Sequence, residues 1–352
     1  MGFRLVVMSV DDFWEGLDER CGLMEEARGV FEKWVGEYDA SGLWKWVERE
    51  LDGGGKRRVL VPEKILAVVS GNTPHAAWQS VFRGLVLGAK TLVKLPGVGL
   101  EGFEEEVAGL PERLRELVET SRVLREDWEA EAGAWVVYGS DETVAFFRNR
   151  APVGMPFASH GHRLGIGVVR EVCAEAASAA VRDVCDFEQR GCLSLQTVFV
   201  EGSVDDFGEM LAEAFAANEV LDPAPELDLS TRGAVATLRE EVRFRIANGV
   251  GGYGLWESEE GLAWTLVAWP KGELRPSPLG RTLYLQELPV EWGELGKLSA
   301  AVSGTGVFPF SRKEEFPGFR IFPLGEAQKP PFDWYQDGVA PLASLVRWQE
   351  LG

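Results

Sequence analysis

The sequence has few of the residues that build metal and disulfide sites. Its 352 residues include three histidines and four cysteines. The cysteines form no C-x-x-C pair, which argues against a zinc site; they are Cys21, Cys173, Cys185 and Cys192. His160 and His162 lie two residues apart but have no obvious third ligand, so a metal between them is a weak hypothesis. We predict no bound metal.

Long apolar runs and an excess of positive charge are also absent. No stretch approaches the length of a membrane span, and residues 1–10 lack the features of a signal peptide. With 36 Lys+Arg against 56 Asp+Glu, the net charge is −20, which disfavours nucleic acid or anionic membrane as the main partner. The sequence therefore predicts a cytoplasmic protein with reduced thiols, no membrane span and no nucleic-acid partner.

No G-x-G-x-x-G fingerprint follows an early strand, yet strand and helix patterns alternate. A helical segment is predicted over 11–51. Strands are predicted at 65–69, 90–95, 134–138 and 157–159, and helices at 76–87, 101–123 and 142–149. This alternation is typical of an open, doubly wound α/β sheet.

The second half continues the α/β pattern. Helices are predicted at 168–186, 204–218, 229–248, 295–301 and 342–348, and strands at 197–200, 262–268, 282–288 and 320–322. Asp222-Pro223-Ala224-Pro225 is predicted to link two helices. A length of 352 residues favours two domains, or one large α/β unit with an appendage.

Cys192 is the strongest candidate for chemistry. A polar turn precedes it and an apolar strand follows, with Gly191 as a small neighbour and Arg190 as a nearby cation. These conditions favour a nucleophilic thiolate of low pKa. A small buried hydrophobic residue is the structural alternative, and the spacing alone leaves both open.

Two turns that follow predicted strands are candidates for binding. Ser70-Gly71-Asn72-Thr73-Pro74 faces the ligand edge of an α/β sheet, where Asn72 could donate to an oxyanion or simply form a turn or helix cap. Gly139-Ser140 could hold a pyrophosphate on free N–H groups, although Asp141 and Glu142 could cap the same groups.

Two further candidates come from single side chains. Lys94 ends a strand before proline, where a lysine usually extends to solvent. Of His160 and His162, one could be a general acid and the other a satisfied structural histidine.

Together these motifs resemble the LuxC-type fatty-acyl-CoA reductases, a branch of the aldehyde dehydrogenase superfamily. Residues 189–194, Gln-Arg-Gly-Cys-Leu-Ser, match the family's cysteine motif, although Leu195 stands where members usually have proline. Gly71-Asn72-Thr73-Pro74 is similar to Gly-Asn-Val-Pro, and Gly161-His162-Arg163 to Gly-His-(Lys/Arg). Residues 326–338 resemble the family's C-terminal Gln-x-Pro-Pro…Trp-x-x-Asp-Gly stretch, for which we expect a structural role.

The resemblance implies roles for these residues. Cys192 would carry the acyl group as a thioester, and Asn72 would polarise its carbonyl. Lys94 would contact the adenosine ribose and its 2′-phosphate. The cofactor would also meet the turns that carry Ser70, Gly139 and Ser140. His162 is our candidate for the general acid. Hydrolytic aldehyde dehydrogenases have a water-activating glutamate in this region, but residues 157–169 contain no acid, which favours reduction of the thioester.

The resemblance also implies fold, activity and partners. We expect an aldehyde-dehydrogenase-like fold with a shortened N-terminal part: a helical arm (1–58), a dinucleotide-binding domain (59–162), a catalytic domain (163–322) and a tail that packs back on the body (323–352). The expected activity is NADPH-dependent reduction of an acyl-CoA or acyl-protein to a fatty aldehyde, with an acyl-transferring partner protein and a homo-oligomeric assembly. Alternatives are an acyl-phosphate or aldehyde dehydrogenase, and an acyl-accepting scaffold without turnover.

Overall fold

The computed structural model describes residues 5–6, 10–52, 56–272, 274–289, 301–312, 316, 318 and 320–351. The α-helices are α1 (Val10–Glu26), α2 (Arg28–Val35), α3 (Ala40–Leu51), α4 (His75–Leu87), α5 (Phe103–Ala108), α6 (Glu112–Arg115), α7 (Glu126–Glu131), α8 (Asp141–Arg150), α9 (Ala174–Cys185), α10 (Val204–Leu221) and α11 (Leu229–Ala247). The strands are β1 (Leu5–Val6), β2 (Arg57–Pro62), β3 (Lys64–Val68), β4 (Lys90–Lys94), β5 (Val118–Ser121), β6 (Ala134–Tyr138), β7 (Phe157–His160), β8 (Leu164–Val169), β9 (Leu195–Val200), β10 (Gly254–Glu257), β11 (Thr265–Ala268), β12 (Thr282–Glu287), β13 (Val302–Phe308), β14 (Ile321–Pro323) and β15 (Arg347–Glu350).

The chain divides into two compact units. Unit 1 comprises residues 1–162 and 329–352, and unit 2 comprises residues 163–328. Both contain mixed α/β structure around a largely parallel sheet, which confirms the predicted fold class. The cofactor and catalytic roles assigned to the sequence ranges remain predictions.

Unit 1 contains a five-stranded parallel sheet in the order β5-β4-β3-β6-β7. The chain runs outward from β3 through β4 to β5 and then returns to the other side of β3, as in a doubly wound sheet. The strand order therefore reverses between the neighbouring strands β3 and β6, which form the switch point of the sheet. Ligands of such sheets bind at the carboxyl ends of the strands at this point.

The helices at the start of the chain share an apolar core with α4. Phe31 of α2 and Trp46 of α3 are among the buried side chains that pack around Phe82 of α4. Residues 77–87 of α4 are all buried, because the helix is apolar on nearly every side and can therefore be covered from all sides. Unit 1 also has an antiparallel sheet, β1-β2-β15, in which Arg347 pairs with Leu60.

Unit 2 contains a seven-stranded sheet in the order β10-β11-β12-β9-β8-β13-β14, parallel except for β10. Strands β8 and β9 are buried along their whole length. The predicted linker from Asp222 to Pro225 lies between α10 and α11, as expected.

Several predicted elements were wrong. The helix predicted over 101–123 is α5, α6 and β5, because Pro111 cannot continue a helix from Gly109-Leu110. The helix predicted from Val168 begins only at Ala174, since Val168 and Val169 complete β8. The short helix predicted over 342–348 is one 3₁₀ turn followed by β15. Apart from Ala301, the helix predicted over 295–301 lies outside the described residues.

Candidate active site

Cys192 lies at the corner of a tight turn in unit 2. Of the four cysteines it is the exposed one, whereas Cys21 and Cys185 are buried and Cys173 is partly buried. The Ser194 N–H donates to the Gly191 carbonyl at 3.0 Å and closes the turn. The hydroxyl of Ser303 on β13 donates to the Cys192 carbonyl at 2.5 Å. The thiol is therefore accessible while its backbone is fixed.

The segment before this turn has an unusual backbone. Phe187, Glu188 and Gln189 have φ angles of 54°, 54° and 61°, in a region that costs non-glycine residues about 1–2 kcal/mol each. The buried Gln189 amide holds the segment: Nε2 donates to the Leu195 and Thr282 carbonyls, both at 2.7 Å, and Oε1 accepts from the Thr282 N–H at 3.0 Å.

A buried arginine from the start of β12 fixes the same segment from the other side. Arg281 donates to both carboxylate oxygens of Glu188, at 3.1 and 3.0 Å, and to Asp222. Such paired, charge-assisted hydrogen bonds are strong and directional. The left-handed backbone before Cys192 is therefore maintained by side chains far away in sequence.

A second arginine, besides the exposed Arg190, interacts electrostatically with Cys192. It is Arg320, the residue before β14. Burial lowers the pKa of Arg320 to about 10, and electrostatic interactions with Asp183, Glu326 and Cys192 oppose the decrease. The sequence reasoning missed Arg320.

Asp183 is a second group that the sequence reasoning missed. It is buried on α9, and its two oxygens accept from the N–H groups of Gly325 and Ala327 at 2.7 and 2.8 Å. A signal was present, since Asp183 continues the helical spacing of the buried Ala176 and Ala179. An acid on an apolar helix face requires buried partners.

Asp183 should make the stability of the protein depend on pH. Burial raises its pKa from 3.8 to about 7. The folded state then binds the proton more tightly than the unfolded state, so this contribution to stability is complete below pH 3.8 and is lost as the pH rises through 7. We expect the difference in unfolding free energy between the wild type and Asp183→Asn to fall by about 2–3 kcal/mol from pH 4 to pH 7. Urea unfolding of both proteins across this range measures it, and a constant difference would contradict the prediction.

The predicted cofactor residues of unit 1 lie along one edge of its sheet. Ser70 follows β3, Lys94 ends β4, and Gly139 follows β6. Because β4 and β6 flank β3 in a parallel sheet, these three positions share the carboxyl edge, and β3 and β6 border the switch point. The topology brings these predicted residues to the same edge.

The turn at Gly139-Ser140 also has a structural role. The Ser140 hydroxyl accepts from the Thr143 N–H at 3.3 Å and caps α8, so Ser140 rather than Asp141 or Glu142 caps the helix. A Cβ on Gly139 would lie 2.9 Å from the Thr143 side chain. Glycine therefore allows the close approach between the end of β6 and the start of α8.

Asn72 is exposed in the turn between β3 and α4. The N-cap of α4 is Pro74, without a side-chain cap. The alternative of Asn72 as a helix cap is therefore wrong, and its amide is exposed to solvent.

The two neighbouring histidines differ in environment. The Nδ1 atom of buried His160 lies 2.8 Å from Oδ2 of Asp337, and its ring stacks on Tyr138 at 4.6 Å. His162 is exposed, and its backbone N–H donates to Asp141. His160 thus has the buried, hydrogen-bonded environment expected of a structural histidine, and its partner Asp337 comes from the Trp-x-x-Asp-Gly stretch.

The described residues contain neither a metal-binding cluster nor a helix that could span a membrane. No group of three or more His, Cys, Asp or Glu side chains in these ranges could hold a metal ion. No helix among them has the length and apolar character needed to cross a membrane.

The fold defines a class of proteins. Solved structures of aldehyde dehydrogenases share it. One is the NADP-dependent glyceraldehyde-3-phosphate dehydrogenase from Bacillus halodurans, complexed with NADP. It is 15% identical and has a TM-score of 0.61, and the match covers 98% of this chain and 88% of that chain. The predicted aldehyde-dehydrogenase-like fold is confirmed.

Within this class, the chain belongs to the LuxC family, described as acyl-CoA reductase, which matches residues 116–348. The predicted family is confirmed. Two curated relatives are the long-chain acyl-protein thioester reductase 2 of Photobacterium leiognathi, 22% identical over 159 residues, and the long-chain acyl-protein thioester reductase of Photobacterium phosphoreum, 25% identical over 158 residues. Each match covers 44% of this chain, and the chain spans 31% and 30% of the relatives' lengths.

Proposed function

We propose that the protein reduces a long-chain acyl thioester to a fatty aldehyde through an acyl group carried on Cys192, with NADPH as hydride donor. The observation that carries the proposal is the exposed Cys192 thiol on a turn whose backbone is fixed by Ser303 and by the Gln189 segment. Membership of the LuxC family supports the reaction class. The two curated relatives are named for acyl-protein thioesters, so the donor is either acyl-CoA or an acylated protein.

The first half of the reaction transfers the acyl group. The Cys192 thiolate attacks the thioester carbonyl, a new carbon–sulfur bond forms, and the carbonyl electrons move to oxygen. The Asn72 amide and the Cys192 N–H donate to this oxyanion, as in other acyl transfers. The tetrahedral intermediate collapses, the bond to the donor sulfur breaks, and the donor leaves as a thiolate that takes up a proton.

The second half reduces the acyl-cysteine. When bound, NADPH would supply a hydride to the carbonyl carbon of the acyl-cysteine. The same donors stabilise the resulting oxyanion, the Cys192–carbon bond breaks, and the aldehyde is released. His162 protonates the departing sulfur or the oxyanion. Residues 157–169 contain no acid at the place of the water-activating glutamate of hydrolytic aldehyde dehydrogenases, which favours reduction of the acyl-cysteine over its hydrolysis.

The residues at the edge of the unit 1 sheet fit a phosphorylated dinucleotide. The half-buried Lys94 supplies a cation at the carboxyl end of β4. The turn that carries Gly139 and Ser140 leads into α8, a ten-residue helix whose N-terminal N–H groups favour phosphate. Lys94 and Ser70 would hold the adenosine ribose and its 2′-phosphate, and Gly139 and Ser140 the pyrophosphate.

Replacing Lys94 should separate the two nicotinamide cofactors. We expect Lys94→Ala to raise KM for NADPH by about tenfold and KM for NADH by less than about threefold, because only the former has a 2′-phosphate that pairs with the lysine. Initial rates with both cofactors measure this. Lys90→Ala is the matched control, since Lys90 begins the same strand and pairs with Glu119. Equal changes for NADPH and NADH would contradict the role of Lys94.

The function is tested by incubating the protein with acyl-CoA thioesters of increasing chain length and NADPH. Aldehyde formation, measured by trapping with a hydrazine reagent, would support the proposal. Acylation of Cys192 without oxidation of NADPH would instead indicate an acyl acceptor without turnover. Activity with acyl phosphate alone would indicate an acyl-phosphate dehydrogenase. Failure of every thioester to acylate Cys192 would refute the proposed function.

A further inference from the structure

Gln328 contacts the turn that carries Cys192. Its side-chain Nε2 donates to the hydroxyl of Ser194 at 2.9 Å, and Ser194 is fully buried. The Gln328 amide also packs closely on Gly191: a Cβ added there would lie 2.5–2.9 Å from its nitrogen, oxygen and carbon. Gln328 therefore contacts both ends of the turn, one residue before Cys192 and two residues after it.

The segment that presents Gln328 is itself held by the buried Asp183 and the partly buried Arg320. Asp183 accepts from the N–H groups of Gly325 and Ala327. Arg320 donates to the carbonyls of Glu326 and Ala327, at 3.3 and 2.7 Å. These four hydrogen bonds all fall on the backbone of three consecutive residues, 325–327. They fix the backbone from which the Gln328 side chain extends.

The shape of the Gly191–Ser194 turn decides where the Cys192 thiol and its backbone N–H point. The nucleophile must reach the carbonyl carbon while the oxyanion donor hydrogen-bonds to the carbonyl oxygen. Small errors in the position of either group slow such reactions. The chemical reactivity of the thiol toward a small reagent depends instead on its thiolate fraction and access. Turn geometry and thiol reactivity can therefore be measured separately.

We propose that Gln328 is a positioning residue for Cys192, which acts through Ser194 and Gly191 to hold the nucleophile's turn in the conformation that accepts the acyl group. The inference rests on the proposed function and deepens it. It gives the Gln-x-Pro-Pro stretch a role in acyl transfer.

Gln328→Met tests the proposal, because methionine keeps the size of the side chain and removes its hydrogen bond. Acylation of Cys192 by a long-chain acyl-CoA is followed by mass spectrometry without NADPH. In parallel, alkylation of Cys192 by iodoacetamide is measured from pH 6 to pH 9. We expect the acylation rate at saturating thioester to fall by about tenfold or more, KM to change by less than about threefold, and the alkylation profile to remain unchanged.

Ser194→Ala and the double variant Gln328→Met/Ser194→Ala complete the experiment. Because one hydrogen bond joins the two residues, the double variant should acylate about as slowly as either single variant. Gln349→Ala is the matched control, since Gln349 is an exposed glutamine on β15. If Gln328→Met does not fold, Ser194→Ala carries the same comparison of acylation with alkylation.

Three results would overturn the inference. A folded Gln328→Met that acylates at the wild-type rate removes the positioning role and leaves the proposed function intact. Equal losses of acylation and alkylation would show that Gln328 affects thiol reactivity or access instead of turn geometry. A wild-type protein that is alkylated but never acylated would refute the proposed function, and this inference with it.

Discussion

Cys192→Ala should abolish aldehyde formation, leaving less than about 10⁻⁴ of the wild-type kcat, because the acyl group then has no carrier. The two buried cysteines cannot replace it. Burial raises the pKa of Cys185 to about 12 and also raises the pKa of Cys21, which keeps both thiols protonated. The measurement is aldehyde release from acyl-CoA with NADPH, together with mass spectrometry of the acylated protein.

Cys173→Ala is the matched control. Cys173 is partly buried at the N-cap of α9, and its replacement should leave aldehyde formation within about twofold of the wild type. Aldehyde formation that survives in Cys192→Ala would contradict the acyl-cysteine mechanism. Loss of activity in both variants would point to a general requirement for thiols instead of a single nucleophile.

Gly165→Ala should have the largest effect on stability. A Cβ on Gly165 would lie 2.5 Å from the carbonyl oxygens of both Leu193 and Ser194. These are backbone atoms of the segment that carries Cys192, so no side-chain rotation relieves the overlap. We expect a loss of more than about 4 kcal/mol in unfolding free energy, an exceptional value for a single methyl group. Chemical denaturation measures it, and the acylation rate of Cys192 should fall in parallel.

Gly233→Ala is the control within the same unit. Gly233 is the fifth residue of α11, and an added Cβ would meet no atom within 4 Å. Alanine is favoured over glycine in a helix, so we expect this variant to gain about 0.5–1 kcal/mol. A Gly165→Ala protein as stable as the wild type would show that β8 and the cysteine turn can separate without cost.

The sequence predicted best where a single pattern decides the structure. Strands β3, β4 and β6 are short apolar segments bounded by turns, and α4 lies between two of them. Prediction failed where the local sequence pattern differs from the pairing that the sheet imposes. Val168 and Val169 continue the apolar pattern into α9, but sheet pairing with Val307 and Phe308 takes them into β8.

In the candidate site, too, local patterns predicted some features, whereas contacts between residues distant in sequence could not be predicted. Cys192 and the two turns of unit 1 were predicted from local motifs, and the placement of the two turns needed only the rule that parallel strands share a carboxyl edge. The groups that fix the cysteine turn and the segment before it come from distant positions: the backbone of Thr282 and the side chains of Ser303 and Gln328. Thr282 and Ser303 are 90 and 111 residues from Cys192, and Gln328 is 136 residues away. No local pattern connects them, so only the structure reveals these contacts.

Unit 1 is discontinuous along the chain, and this sets the order in which the two units can be completed during protein synthesis. All of residues 163–328 are made before residues 329–352, which unit 1 needs. Until then, the buried Glu50 lacks the N–H groups of Leu342 and Ala343 that it accepts from, and His160 lacks Asp337. Buried polar groups without partners destabilise a fold. The part of the chain made first is therefore the part completed last.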